Sequence, residues 1–545
     1  MKIVSSAEMR EIDRLTAEKY GVPTRTLMEN AGTAAADYIL EHYPIAQSIG
    51  VICGKGNNGG DGFVVARKLQ EDGKIVSVLL LAEPKDLTGD AAEMFRRLPM
   101  PAMTAKSEAD LEQAAVQTVF ASDLLVDAIL GTGFRPPLTR LVARAIELMC
   151  RAASEIDNEL GTTRPVISVD IPSGVDSDAE TAKLQASTVA PSSAVVSFTA
   201  PRRAHLLSAL SAGPIVVTKI GSPDEAVRSA LSMHAITAAD IQPILTPRFP
   251  DSNKGLFGHV LVVGGSLGKS GAAAMAGMAA LRSGAGLATV ATPRSVLASV
   301  AGFAPELMTE PLPETTDGTI ALDALGKLEE IEESKSVVAV GPGLSRNPDS
   351  REFVRLLAAK CKVPIIIDAD GLNAFEGNAD ELHGRNRPLI ITPHPGEMAR
   401  LIGLSIAQVQ KERIKIARDF AAAHHCIVVL KGFHTVVTDY NGVVWINTTG
   451  NPGMATGGTG DILTGMVAGL VAQSVSGEVP SGQKSDHANL LMHVVAAAYL
   501  HGLAGDLARD EFGEHSLIAT DLLNFLPDAF LAIPALAQER FVRLS

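Results

Sequence analysis

The segment Ile49-Gly-Val-Ile-Cys-Gly-Lys-Gly-Asn-Asn-Gly-Gly-Asp-Gly62 joins a short apolar run to a glycine-rich stretch, and a helical pattern at residues 64–69 follows it. A buried strand that turns through glycines into a helix is the repeating unit of parallel α/β sheets. Such a turn offers backbone N–H groups and a helix N-terminus, which together suit a phosphate. The spacing is neither G-x-G-x-x-G nor a Walker loop, so a plain glycine-rich turn remains an alternative.

The same unit recurs on both sides of this segment. A capping box of Ser5 and Glu8 predicts an N-terminal helix. In the first part of the chain we predict strands at 49–53, 76–81, 124–129, 166–170, 194–198 and 215–218. In the second part we predict strands at 260–263, 288–291, 337–340, 364–368, 389–392, 427–430 and 435–438. Stretches long enough for crossover helices separate most of them, so we expect α/β domains with parallel sheets and helices on both faces.

The two series of strands are separated by an irregular stretch. Residues 221–250 lose their periodicity and contain Pro223, Pro243, Pro247 and Pro250. We therefore predict a Rossmann-like, doubly wound domain at 1–220, a linker at 221–245 and a larger α/β domain at 246–545. The chain length of 545 residues agrees with at least two domains of ~150 residues or more.

Composition excludes several classes of protein. The net charge of −14 disfavours nucleic acid as a partner. The N-terminus reaches charged residues before any sustained apolar run, which argues against a secretory signal. The best membrane candidate, residues 462–475, is shorter than the ~20 residues that a spanning helix needs. Four widely spaced cysteines predict buried, reduced thiols. We expect a cytoplasmic protein with no membrane partner.

Two acidic residues lie at predicted strand ends in the first domain. Asp127 precedes Gly131-Thr-Gly-Phe134, and Asp170 begins Asp170-Ile-Pro-Ser-Gly174. Ligands of doubly wound sheets bind beyond the carboxyl ends of the strands, so both acids can meet the glycine loop in one crevice. Each could instead cap the helix that follows it. Asn58, Asp127 and Ser173 are hard oxygen donors that suit an alkali or alkaline-earth cation.

The second domain carries Asn451-Pro-Gly-Met-Ala-Thr-Gly-Gly-Thr-Gly-Asp461 before its apolar helix. Small residues let backbone N–H groups approach a transferring phosphoryl group, and the helix N-terminus adds positive potential. Asp461 is placed to accept a hydroxyl proton, although it could also be a simple helix cap. His394, between Pro393 and Pro395, is rigidly displayed and is as compatible with a packing or capping role as with a functional one.

The first domain resembles the NAD(P)HX epimerases on Gly54–Gly62, Gly131–Phe134 and Asp170–Gly174. The resemblance covers nearly all of residues 1–220. It implies a potassium ion held by Asn58, Asp127 and Ser173, and Asp170 as the acid/base at the hydrated nicotinamide. It also implies that the substrate lies against Asn57, Asn58, Gly59, Gly60, Asp61, Gly131, Thr132, Gly133, Phe134, Arg135, Pro136, Pro137 and Asp170.

The second domain resembles the ADP/ATP-dependent NAD(P)HX dehydratases, a branch of the ribokinase-like kinases. Besides 451–461, the resemblance rests on Asn253-Lys-Gly-Leu-Phe-Gly258, Gly264-Gly-Ser266, Ser270-Gly-Ala272, Gly341-Pro-Gly-Leu344, Asp368-Ala-Asp-Gly-Leu-Asn373, Thr392-Pro-His-Pro-Gly-Glu397 and Lys431-Gly-Phe-His-Thr435. It implies nucleotide contacts from Lys431, Gly432, Phe433, His434, Thr435 and Gly460. It implies hydrate contacts from Ala272, Gly343, His394 and Asp461. Lys269 departs from the aromatic residue common in the family and leaves the shape of the substrate pocket open.

These resemblances predict a bifunctional repair enzyme for hydrated nicotinamide cofactors. One domain would interconvert the R and S epimers of NADHX and NADPHX. The other would transfer a phosphoryl group from ADP or ATP, with Mg²⁺, to the C6 hydroxyl and eliminate phosphate. A small-molecule kinase with an N-terminal regulatory or binding domain is the alternative. We also expect a homo-oligomer, and the sequence does not separate ADP from ATP or NADHX from NADPHX.

Overall fold

The structure is a computed structural model that describes residues 1–155, 163–179, 189–476 and 487–544. The chain divides into two compact units. The first contains Met1–Ala235 together with Glu539–Ser545, and the second contains Ile236–Gln538. The division falls inside the predicted linker, whereas the last seven residues, which the sequence assigned to the second domain, belong to the first unit.

The first unit is built around a mostly parallel sheet in the order β18-β7-β6-β5-β4-β1-β2-β3. Its strands are β1 Ser48–Cys53, β2 Ile75–Leu80, β3 Met103–Thr104, β4 Leu124–Ala128, β5 Val166–Val169, β6 Ala194–Phe198, β7 Ile215–Thr218 and β18 Val542–Arg543. The C-terminal strand β18 pairs antiparallel with β7, and the other described pairs in this sheet are parallel. Another short strand, β8, spans Met233–Ala235.

Helices of the first unit cover both faces of this sheet. They are α1 Ser6–Tyr20, α2 Thr24–His42, α3 Asn57–Glu71, α4 Gly89–Arg96, α5 Glu108–Leu111, α6 Ala114–Phe120, α7 Arg140–Ser154 and α8 Arg203–Leu207. One apolar cluster joins α2 and α3 to the sheet, and a second joins α6 and α7 to it. The predicted capping box at α1 is confirmed, because the Ser5 hydroxyl accepts from the Glu8 N–H while Glu8 accepts from the Ser5 N–H.

The second unit has a larger sheet in the order β11-β10-β9-β12-β13-β14-β15-β16-β17. Its strands are β9 His259–Val263, β10 Leu287–Pro293, β11 Met308–Leu312, β12 Val337–Val340, β13 Ile365–Ile367, β14 Leu389–Ile391, β15 Ile427–Leu430, β16 Val436–Thr438 and β17 Val444–Ile446. Pairing is parallel from β11 through β15 and antiparallel from β15 to β17.

Helices of the second unit pack on this sheet and on one another. They are α9 Ala238–Ile241, α10 Ser270–Arg282, α11 Leu297–Ala301, α12 Ala324–Glu332, α13 Pro348–Lys360, α14 Ala369–Asn373, α15 Pro395–Ile402, α16 Ile406–Lys411, α17 Arg413–His424, α18 Thr459–Ser476, α19 His487–Phe512 and α20 Ala519–Leu536. Gly465 and Gly469 let α18 approach α10 closely, because a Cβ at either position would lie within 2.5 Å of a backbone oxygen of α10.

Three sequence-based expectations need correction. The predicted linker contains β8 and α9, which are short enough to be hidden among prolines and turn residues, and a capping box of Thr237 and Asp240 starts α9. Cys150 is exposed on α7, whereas the other three cysteines are buried as predicted. Two helices other than the predicted candidate pass a length and hydropathy test for membrane spans. They are α19 and α20. Of the most apolar 18 residues of each helix, 67% are buried in α19 and 33% in α20.

Candidate active sites

A cavity of about 930 Å³ opens in the first unit beside the carboxyl ends of β1, β4 and β5. Many residues predicted for the substrate line it: Asn57, Asn58, Asp61, Gly131, Thr132, Gly133, Phe134 and Asp170. The remaining predicted residues, Gly59, Gly60, Arg135, Pro136 and Pro137, are not among the lining residues. Gly59 packs beneath the loop, and Arg135 forms ion pairs with Asp176 and Asp178.

The glycine loop of this cavity is closely packed. A Cβ at Gly54 would lie 2.0 Å from the Ile129 oxygen, and one at Gly59 would lie 1.9 Å from the Gly54 oxygen. Close packing therefore accounts for part of the glycine content, as expected if the segment were a plain glycine-rich turn. Helix α3 nevertheless begins at Asn57, so its N-terminal end faces the cavity and supplies the positive potential that suits a phosphate.

Asp127 is buried beneath the cavity in a dense set of hydrogen bonds. It accepts from the Ser173 N–H at 2.7 Å, the Ser173 hydroxyl at 2.5 Å, the Ser168 hydroxyl at 3.2 Å and the Ile129 N–H at 3.3 Å. Asn58 donates through Nδ2 to the Leu130 oxygen at 3.1 Å. The buried Oδ1 of Asn58 has no hydrogen-bond partner among the described residues. The three predicted metal ligands thus lie around the Ile129–Leu130 backbone.

Asp170 lies in the cavity wall with a strained backbone. Its φ of 65° is unusual for a residue with a side chain, and such strain is often found at functional positions. The Arg202 guanidinium forms an ion pair with Oδ1, and the Thr132 N–H lies 3.4 Å from Oδ2. His205 donates through Nε2 to the Asp170 carbonyl at 2.8 Å, which holds the backbone in place.

Two largely buried ionisable residues of the cavity, Arg202 and Asp13, were not predicted from the sequence. Arg202 is almost fully buried, and burial lowers its pKa to about 10. Asp13, from α1, lines the same cavity, and burial raises its pKa to about 6 although Arg202 partly offsets this. Burial, reinforced by Asp13, also raises the pKa of Asp61 well above its ordinary value. Nothing in the local sequence marked Asp13, because its helix lies far from the glycine loop along the chain.

In the second unit, Asp461 lies in the first turn of α18, directly after the glycine run. Burial raises its pKa to about 7, and the Asp368 carboxylate adds to the effect. Lys431 lies between two other carboxylates, with Nζ 2.7 Å from Asp368 Oδ1 and 3.8 Å from Glu397 Oε2. A Cβ at Gly460 would be 3.3 Å from Lys431 Nζ. The predicted nucleotide residues Lys431 and Gly460 are therefore neighbours beside Asp461.

The loop after β15 contains the other predicted nucleotide residues. Gly432 has a φ of 142° and His434 a φ of 50°, so the backbone bends sharply here. Phe433 is 61% exposed, whereas His434 is buried, and burial lowers its pKa to about 3. Arg413, which sequence reasoning missed, donates to the backbone oxygens of Phe433, Leu430 and His434 and fixes the loop. Thr435 donates to the Gly432 oxygen at 3.2 Å.

Two of the residues predicted for the hydrate, Ala272 and Gly343, are in contact. A Cβ at Gly343 would lie 3.2 Å from Ala272 Cβ and 2.4 Å from the Lys269 oxygen. Gly343 also has a φ of 65°, so glycine is favoured there on two grounds. The side chain of Lys269 forms an ion pair with Asp370 at 3.2 Å. Its positive charge is therefore paired with an acid that lies two residues after Asp368.

His394 is the N-cap of α15. Its Nδ1 accepts from the Gly396 N–H at 2.9 Å and the Glu397 N–H at 3.3 Å, while Nε2 lies 3.3 Å from Glu397 Oε1. This arrangement suits the neutral ring with its proton on Nε2. Burial, followed by Lys431, lowers its pKa. The capping role considered for His394 is thus present, and the half-exposed ring also leaves an edge available.

Two known protein families match this chain. A family described as NAD(P)H-hydrate dehydratase matches residues 260–528, and one described as the YjeF-related protein N-terminus matches residues 24–204. The bifunctional NAD(P)H-hydrate repair enzyme Nnr of Moorella thermoacetica is 40% identical over 97% of this chain and 96% of its own length. Its namesake from Escherichia coli is 32% identical over 95% and 92%.

One solved structure is similar in sequence to about half of this chain. It is the ADP/ATP-dependent NAD(P)H-hydrate dehydratase of Bacillus subtilis, co-crystallised with ATP and Mg²⁺. It is 32% identical, covers 55% of this chain and 97% of its own, and has a TM-score of 0.45.

Fold and sites together define a two-unit α/β enzyme with buried carboxyls near the carboxyl ends of the strands in each sheet. Full-length relatives at this level of identity establish which enzyme class this is. The chain belongs to the family of bifunctional NAD(P)H-hydrate repair enzymes, which combine an epimerase with an ADP/ATP-dependent dehydratase. The predicted fold class, two α/β domains with mostly parallel sheets, is confirmed, and so is the predicted activity.

Proposed function

We propose that the first unit epimerises the R and S forms of NADHX and NADPHX in the cavity that contains Asp170. The second unit then dehydrates the S form at Asp461. The proposal is supported by the position of Asp170, which reaches the cavity while Arg202 and His205 hold its side chain and backbone. The domain limits 1–220 and 246–545 serve as approximate bounds for the two activities.

Asp170 would act as the acid/base at C6 of the hydrated ring. Exchange of the C6 hydroxyl between faces requires a proton on the departing oxygen and removal of one from the returning water. The substrate phosphates would lie at the start of α3 and along 131–137, where backbone N–H groups face the cavity. Arg135 would contribute only after leaving its two aspartates, since it is engaged with both in this structure.

The residues beneath the cavity fit a potassium ion. The buried Asn58 Oδ1 has no hydrogen-bond partner among the described residues, and Asn58 and Ser173 both bond to the Leu130 backbone while Ser173 also bonds to Asp127. A set of neutral oxygens with one carboxylate suits a large monovalent cation. Asn58, Asp127 and Ser173 would hold the ion, whose charge would favour the substrate phosphates. Asn58 would also anchor the glycine loop through its bond to Leu130.

In the second unit Asp461 would accept the proton of the C6 hydroxyl as it attacks the donor phosphoryl group. Lys431 and the 431–435 loop, with Gly460, would hold the nucleotide, and Ala272, Gly343 and His394 would face the hydrate. Lys431 lies near Asp368 and Glu397 and interacts electrostatically with Asp461, so negative charge exceeds positive charge before the ligands bind. That excess fits Mg²⁺, which Asp368 and Glu397 would hold and which would neutralise donor phosphate charge.

The donor preference is proposed as ADP, with ATP as the second possibility. After transfer, loss of phosphate from C6 restores the conjugated dihydropyridine, so free phosphate and reduced cofactor should appear in equal amounts. A kinase would instead release a stable phosphorylated product. Family membership does not favour that alternative.

The test is an incubation of the full-length protein with a mixture of R and S hydrates and each nucleotide in turn. Recovery of absorbance at 340 nm measures repair, and phosphate release is measured in parallel. The Asp170→Asn variant should repair only the S half of the mixture at times too short for spontaneous epimerisation. Full repair of both epimers by Asp170→Asn would show that Asp170 is not the acid/base residue of the epimerase.

The remaining expectations concern location and assembly. We propose a cytoplasmic homo-oligomer that binds neither nucleic acid nor membranes. The net charge of −14 supports the first exclusion, since polyanions repel a negatively charged surface. Light scattering at two protein concentrations tests the assembly, and a monomer at both would contradict it.

A further inference from the structure

The cavity of the first unit contains two further acids besides Asp170 that are largely shielded from water, Asp13 and Asp61. Asp13 comes from α1, lines the cavity and is shielded from water over most of its surface. Its Oδ1 has no hydrogen-bond partner among the described residues. A buried carboxyl oxygen without a partner is costly to maintain, so a role for it in ligand binding or catalysis is worth testing.

The chemistry of epimerisation requires two proton-transfer events. When the C6–O bond breaks, the departing hydroxyl takes a proton and leaves as water, while the N1 lone pair forms a C6=N1 iminium. Water then adds to C6 from the other face, the C=N π electrons return to N1 and the added water loses one proton. No other reactant is consumed. Departure and return occur on opposite faces of the ring, so two acid/base groups serve this exchange better than one.

We propose that Asp13 is the second acid/base residue of the epimerase, paired with Asp170 across the C6 carbon of the hydrate. The inference rests on the proposed placement of the epimerase in this cavity. In one direction protonated Asp13 donates to the departing hydroxyl while Asp170 accepts from the returning water. In the reverse direction the two exchange roles, so each turnover leaves one proton on the pair.

The charges around Asp13 support this assignment. Burial raises its pKa to about 6, and the partial offset by Arg202 indicates that the two are close in space. Arg202 also forms the ion pair with Asp170, so the two acids lie near the same guanidinium. Asp61, from α3, is a neighbouring acid whose pKa is raised in part by Asp13. Other charged groups lining the cavity are Arg10, Lys55, Glu83, Asp86, Asp90 and Lys106.

The test uses the full-length protein, with ADP or ATP and Mg²⁺, on separately purified R and S hydrates of NADH. Dehydration of the S hydrate bypasses the epimerase, whereas R hydrate is repaired only after epimerisation. Asp13→Asn should lower the R-hydrate rate by ~10²–10⁴ through kcat, with KM nearly unchanged. The S-hydrate rate should stay at the wild-type value. Asp72→Asn makes the same change at an exposed position that ends α3, is not among the residues lining the cavity, and should leave both rates unchanged.

The pH profile separates a chemical role from a structural one. The pH–rate profile of wild-type R-hydrate repair should bend near pH 6, where Asp13 titrates. The profile of Asp13→Asn should lack this limb. Asp13→Glu, which keeps the carboxyl, should recover part of the rate. If Asp13→Asn stays within twofold of wild type, or if its residual rate keeps the same limb, the proposal is wrong.

Variants of the two other acids distinguish the possible failures. If Asp170→Asn loses R-hydrate repair and Asp13→Asn does not, only the present inference fails. If Asp170→Asn repairs R hydrate at full rate, the placement of the epimerase in this cavity fails as well. If Asp61→Asn removes the limb near pH 6 and Asp13→Asn does not, Asp61 is the second acid and Asp13 is excluded.

Discussion

Replacing Asp461 by asparagine is the most direct test of the dehydratase mechanism. The amide keeps the shape of the carboxyl and leaves the glycine N–H groups of 457–460 in place, but it cannot accept a proton. Loss of a general base typically lowers a rate by ~10²–10⁴, which corresponds to about 3–5 kcal/mol in the barrier. Dehydration of the S hydrate should fall by that factor, while nucleotide binding and epimerisation should change little.

The pKa of Asp461 gives the test a second dimension. Because its pKa is raised to about 7 by burial and by Asp368, about half of the side chains carry the base form at pH 7. The base form is lost as the pH falls through the pKa, so activity is present above pH 7 and declines below it. From pH 6 to pH 8 the ionised fraction rises about tenfold. The value of kcat/KM for the nucleotide at saturating hydrate should rise by up to that factor, because Mg²⁺ held by Asp368 and Glu397 would lower the pKa of Asp461.

The assay follows 340-nm absorbance and phosphate release together on the S hydrate. Asp510→Asn, an exposed acid on α19 that pairs with Arg509, makes the same chemical change away from the site and should retain full activity. Equal dehydration rates for Asp461→Asn and wild type would refute the assignment. A variant that loses rate but keeps the acid limb would show that another group supplies the base.

Two further predictions concern the first unit. Asn58→Ala removes the buried oxygen that has no hydrogen-bond partner among the described residues. As expected for loss of a direct ligand, the potassium concentration for half-maximal R-hydrate repair should rise at least about tenfold. An unchanged potassium response would contradict the proposed ion site. Ending the chain at Gln538 removes β18 and the fully buried Leu544. Because burial of this leucine contributes about 2 kcal/mol, the unfolding temperature of the first unit should fall by roughly 4–8 °C, while the rate of S-hydrate dehydration should not change. An unchanged unfolding temperature would contradict this role for the C-terminus.

Much of the fold could be predicted from apolar runs alone. Strands β6, β7, β12 and β15 coincide with their predicted limits, and the other predicted strands differ by one or two residues at an end. Buried parallel strands are short, continuous apolar segments, which makes them easy to locate in a sequence. Strands that were missed, such as β3, β11 and β17, are edge or antiparallel strands, or have mixed composition.

The C-terminal strand shows why domain limits were harder to predict. Val542–Arg543 is two residues long and its partner, β7, lies more than 300 residues earlier in the chain. A strand of this length has no periodicity, and its stability comes from pairing and from Leu544 entering the core. Only the folded structure reveals that the first unit includes residues from both ends of the chain.

The candidate sites divide in the same way. Glycine loops and acids at strand ends were predicted because their chemistry is local: a tight turn requires glycine, and a strand end brings a carboxyl to the sheet edge. Asp13, Arg202 and Arg413 were not predicted, because each acts through contacts with residues far away in sequence. The predicted ligand contacts themselves stay predictions until they are measured.

The two proposed sites share an electrostatic arrangement that would let their carboxyls exchange protons at neutral pH. In each, one buried cation lies near several acids: Arg202 with Asp13 and Asp170, and Lys431 with Asp368 and Glu397. One cation can fully stabilise only one of these charges, and burial penalises the others. The pKa of the remaining acid therefore rises towards neutrality, to about 6 for Asp13 and about 7 for Asp461. Added positive charge near either acid would lower its pKa, so the proposed proton-transfer roles of Asp13 and Asp461 depend on how much positive charge surrounds them.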